Sequence, residues 1–100
     1  MNQESLKKIR AYLAGQPIEK AWLFGSYSRG EEYKESDIDL MVKFLNPNKI
    51  TLFAYIHIIN QLEEITGKKV DLVEEGQLRN FAVKSFEDDK ILIYERETPG

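Results

Sequence analysis

Alternating helical and strand patterns predict an α/β (α+β) fold, with helices packed on a mixed sheet. Three observations carry the prediction. Residues 37–44, "DIDLMVKF", alternate apolar and polar side chains as a strand does. Residues 51–66 hold the longest helical period in the chain. Between and around them the order reads as helix, strand, short helix, strand, helix, strand, helix and a last apolar run.

Residues 5–14, "SLKKIRAYLA", place Leu6, Ile9 and Leu13 on one helical face. Ser5 is the expected N-cap, and Gly15 and Pro17 close the helix. Residues 18–24, "IEKAWLF", suit a strand entering the core, ended by Gly25. Trp22 on that strand is expected in the core. Residues 26–36 are polar and too short for more than a turn of helix and a loop.

In residues 37–44, Ile38, Leu40, Val42 and Phe44 face one way, and Asp37, Asp39, Met41 and Lys43 the other. "NPN" at 46–48 is a turn. The helix at 51–66 ends at Gly67. Residues 69–74, "KVDLVE", read as a strand in which Val70 and Leu72 oppose Asp71 and Val73. Residues 77–89 are weakly helical, 91–95 suit a strand or a helix end, and the tail "RETPG" should fray.

One hundred residues fit one domain, with its ordered core over about 5–95. Formal net charge is −3, from 14 basic and 17 acidic side chains, which argues against gripping nucleic acid by charge alone. A small phosphorylated ligand stays open, because a metal ion can neutralise it. There is no cysteine, so disulfides and thiolate metal sites are excluded. The single histidine, His57, rules out a His-based zinc cluster within one chain. No apolar run approaches the ~20 residues of a membrane span, and no signal peptide is visible, so a cytoplasmic protein is expected.

Asp37 and Asp39 are separated by one residue on a strand, so they project from the same face about 6–7 Å apart. Asp is a poor strand former, which makes the pair unusual. Two carboxylates at this spacing suit magnesium, which prefers oxygen ligands and often takes one or two carboxylates plus substrate phosphates. Asp71 repeats the pattern. If its strand neighbours the one carrying Asp37 and Asp39, all three carboxylates share one sheet face.

Gly25-Ser26-Tyr27-Ser28-Arg29-Gly30 follows the first strand. Glycines let backbone N–H groups turn toward an anion, Ser26 adds a hydroxyl and Arg29 a charge. No Gly-Lys-Ser/Thr follows, so this is not a Walker loop. The combination says more than its parts: Gly25-Ser26, ten intervening residues, then Asp37-x-Asp39, with a strand on each side. With Asp71 in "VDLV", this pattern resembles the nucleotidyltransferase superfamily related to DNA polymerase β. Within it the chain is similar to the minimal nucleotidyltransferase (MNT) group over residues 5–95.

The resemblance implies a palm-like mixed sheet and transfer of a nucleoside monophosphate, AMP from ATP, to an acceptor hydroxyl. It implies that Asp37, Asp39 and Asp71 hold two magnesium ions, and that Asp71 also helps deprotonate the acceptor. Gly25 and Ser26 would bind the β- and γ-phosphates, with Arg29 near them. It further implies a HEPN-domain toxin as partner, with the MNT chain as antitoxin. The alternatives are an inactive relative that neutralises its partner by binding, and a homodimer acting on a small molecule. The helix at 51–66 bears on partnership. Its apolar residues, Leu52, Phe53 and Ile56 among them, span an arc of roughly 240°, against the ~100° stripe that packing on one sheet requires. The excess suits a partner or self-association through this helix. His57 lies in its polar gap as a surface or interface residue.

Overall fold

The computed structural model describes residues 1–33 and 36–97. The elements in chain order are α1 (Gln3–Ala14), β1 (Ile18–Phe24), α2 (Ser26–Arg29), β2 (Ile38–Phe44), α3 (Leu52–Thr66), β3 (Val70–Glu74), α4 (Asn80–Asp89) and β4 (Ile91–Glu95). A 3₁₀ turn at Pro47–Lys49 occupies the expected "NPN" turn.

The four strands form one sheet in the order β3-β2-β1-β4. β1 runs antiparallel to both β2 and β4, while β2 and β3 are parallel. A parallel pair needs a long crossover, and α3 supplies it. The core lies where α1 and α3 meet one face of the sheet. Ile9 and Leu13 of α1, and Ile58 and Leu62 of α3, are buried against Ile38, Leu40, Val42 and Phe44 of β2. The alternation expected for β2 therefore holds. Met41, on the opposite face, is also buried, because α4 lies across that side and brings Phe86 down onto it.

Several expectations are corrected. Ser5 is not the N-cap of α1. Asn2 takes that role, its Oδ1 accepting from the Ser5 N–H at 2.8 Å, so the helix begins at Gln3. Asn caps as well as Ser, and the earlier cap extends the helix. α4 begins at Asn80 rather than at 77, because Gly76 turns the chain at φ 90° and the Gln77 N–H bonds back to Glu74. The run at 91–95 is a strand, paired with β1.

Trp22 is half-buried rather than central, edge-on to Phe86 on the α4 side. Arg96 does not fray: its guanidinium donates to the carbonyls of Ala14, Gln16 and Ile18 and ties the chain end to the α1–β1 turn. The expectation for 98–100 falls outside the described residues. Among the described residues, no helix is long and apolar enough to cross a membrane.

Candidate active site

The site forms on the face of the sheet opposite α1 and α3. Phe24 ends β1 and pairs with Asp39, the second residue of β2. Asp39 in turn pairs with Asp71 across the parallel β2–β3 ladder. Phe24, Asp39 and Asp71 thus stand in one row across three strands, since directly paired residues share a sheet face. The adjacency left open by the sequence is established by this register. Asp37 directly precedes β2 and is exposed, and the Ile38 N–H that follows it bonds to the Lys69 carbonyl at 2.9 Å.

Bringing these carboxylates together has an electrostatic consequence. Burial pushes the Asp39 carboxyl up to about 6, and the charges of Asp71 and then Asp37 push the same way. The Arg29 guanidinium pulls in the opposite direction without compensating. An ionised Asp39 therefore lacks sufficient positive charge nearby. A hard divalent cation fits this deficit and the all-oxygen donor set. Asp39 and Asp71, with Asp37 at the rim, are the residues that could hold it. Among the described residues, no three His, Cys, Asp or Glu side chains close around one point as a complete protein cage would. Magnesium does not require such a cage, since substrate phosphates commonly complete its shell.

Gly25 is required for two reasons. Its backbone sits at φ 72°, ψ −154°, a region essentially reserved for glycine. A Cβ there would also lie 2.2 Å from Asp39 Oδ2. The loop thus lies directly against the carboxylate. Ser28 stabilises it, with both N–H and Oγ donating to the Gly25 carbonyl at 3.1 and 2.6 Å. The Ser26 hydroxyl has no hydrogen-bond partner among the described residues, which leaves it available to a ligand.

Arg29 is differently placed from a simple phosphate ligand. Its Nε donates to Glu31 at 3.1 Å and its Nη1 to Asp89 on α4. Asp89 and Phe86 are the residues sequence reasoning missed. Phe86 lies edge-on to Phe24 at 5.2 Å between ring centroids, beside the carboxylate row. No local signal identifies Asp89, because its partner is 60 positions away.

A strand-flanked loop against a row of carboxylates is an arrangement suited to phosphoryl transfer. The family model described as polymerase beta, nucleotidyltransferase matches residues 7–99, and the chain belongs to this nucleotidyltransferase family. A Methanocaldococcus jannaschii protein named as a protein adenylyltransferase is 40% identical over 93 residues, covering 91% of this chain and 93% of the relative. Two solved structures share the fold. One is a crystal structure of a toxin–antitoxin with AMP-PNP, at TM-score 0.72 and 21% identity, covering 97% of this chain and 76% of that one. The other is the tri-AMPylated HEPN toxin of Shewanella oneidensis in complex with an MNT antitoxin, at TM-score 0.69 and 20% identity, covering 96% of this chain and 74% of that one.

Proposed function

We propose that this chain is a magnesium-dependent protein adenylyltransferase that moves AMP from ATP to a hydroxyl of a HEPN-type partner, and so serves as its antitoxin. The observation that carries the reading is the register that sets Asp71 opposite Asp39, beside the Gly25 loop. The relatives support the donor and the partner: one structure of the same fold holds AMP-PNP, and another contains an AMPylated HEPN toxin.

In this reading Gly25 and Ser26 receive the β- and γ-phosphates through backbone N–H groups and the Ser26 hydroxyl. Asp39 and Asp71, with Asp37 at the rim, would hold the metal, which would neutralise charge on the phosphates and the reacting oxygens. The acceptor hydroxyl arrives over β3, an edge strand that leaves Asp71 exposed. Its oxygen forms a bond to the α-phosphorus as the bond to the bridging β-phosphate oxygen breaks. The hydroxyl proton passes to Asp71, and pyrophosphate leaves. Positioning and charge stabilisation supply the acceleration, as is general for phosphoryl transfer.

The test is incubation of the chain with α-labelled ATP, magnesium and the product of the adjacent gene. Label should appear on the partner, and Asp39→Asn should abolish it. Equal labelling by the parent chain and Asp39→Asn overturns the reading.

A further inference from the structure

One row along the sheet from Asp39 lies a cavity of about 300 Å³ between β2, α4 and the turn after β3. Met41 floors it. Met41 follows Asp39 by two residues on the same face of β2, a step of about 7 Å. That is close to the reach from an α-phosphate through a ribose to its base. Phe86 and Val83 of α4, with Leu78 of the preceding turn, make the remaining apolar surface. Three polar residues join them: Glu75, Asn80 and Glu87. Glu87 is engaged by Lys90 at 2.6 Å, whereas Glu75 is exposed and, though its charge acts on Lys43, makes no salt bridge of its own among the described residues.

We propose that this cavity is the nucleobase pocket of the nucleotide donor, and that Glu75 and Asn80 make it selective for a purine bearing a 6-amino group. The proposal rests on the reading of the Asp39 row as the nucleotide site. The chemistry follows from the inventory of donors and acceptors. A flat purine ring suits an apolar slot with few polar groups. A carboxylate only accepts hydrogen bonds, so it takes the amino hydrogens of adenine and repels the carbonyl oxygen that hypoxanthine and guanine carry there. An Asn amide pairs with the edge of adenine in a bidentate manner. The acidic wall also disfavours the triphosphate, which directs the nucleotide to lie base-in at α4 and phosphates toward Gly25.

The test is calorimetric titration of the full chain with ATP, ITP, CTP and inorganic tripolyphosphate, each with magnesium. ITP differs from ATP essentially in replacing the 6-amino group by a carbonyl. ATP should bind at least about tenfold tighter than ITP. Glu75→Gln supplies an amide that can donate to the carbonyl, and should bring the ATP-to-ITP ratio toward one. Val83→Trp, at a site 41% exposed, should fill the slot and weaken ATP about tenfold while leaving tripolyphosphate unchanged. Thermal melting checks that both variants fold.

Equal binding of ATP and ITP, or ATP binding untouched by Val83→Trp, overturns the pocket while tripolyphosphate binding leaves the phosphate site standing. CTP binding as tight as ATP overturns the purine assignment. Failure of tripolyphosphate and ATP alike overturns the reading of the site itself, and the pocket with it.

Discussion

At Asp39 the fold holds a carboxyl that keeps its proton up to about pH 6, whereas the unfolded chain releases it near 4. Between those values the native state binds more protons, so this residue's contribution to stability falls as pH rises. Asp39→Asn should therefore melt higher than the parent at pH 7–8 and equally at pH 4. The side chain is only half-buried and solvent screens it, so the gain should be about 1 kcal/mol, or roughly 4–8 °C in Tm. Melting curves across this range check it. Asp71, Asp37 and Arg29 are the charges that act on this residue. Saturating magnesium and ATP should reverse the order, raising the Tm of the parent and not of the variant. Gly25 yields a second residue-scale prediction. Both Gly25 and Gly30 have positive φ, but only Gly25 has Asp39 against it. Alanine should cost about 1–2 kcal/mol at Gly30 for the left-handed backbone, and transfer should survive. At Gly25 the same change must also displace the Asp39 carboxylate, so transfer should be lost. Unfolding and labelling of the two variants separate the effects.

At the scale of elements, α4 depends on a few contacts. Phe86 seats it between Trp22 and Phe24, and the Arg29–Asp89 pair joins its last turn to α2. Phe86→Ala should cost about 3 kcal/mol in urea unfolding. Asp89→Asn should cost under about 1 kcal/mol, because the pair is partly exposed, yet it should speed amide exchange along α4. Such attachments were not legible in the sequence. β1 was, to the residue, since Pro17 and Gly25 bound a short segment that ends in the apolar run 21–24. So was the placement of Asp39 off the core, because period-two alternation decides it locally. The start of α1 was not, because Asn2 and Ser5 cap equally well. Neither was the neighbourhood of β2 and β3, since strand order depends on how α3 crosses the sheet.

At the scale of the whole molecule, an apolar surface on α3 is left uncovered by the fold. Ile58 and Leu62 of α3 are buried, but Leu52 and Phe53 are 70% and 85% exposed. The wide arc of α3 is thus only partly used by the fold. Leu52→Ser with Phe53→Ser should leave the melting temperature of the isolated chain unchanged within about 2 °C. The same pair should weaken co-elution with the proposed HEPN-type partner on size exclusion. The parallel pairing of β2 with β3 has a further consequence, in the order of events during synthesis. Gly25, Ser26, Asp37 and Asp39 emerge early and close together in sequence. Their third carboxylate follows only after α3, and a one-residue slip of β3 would turn Asp71 into the core and Leu72 out of it. A nascent chain thus carries the Gly25 loop and the first two carboxylates before it carries the third. Competence arrives with a single long-range docking event, so activity reports on correct strand register as well as on the residues of the site.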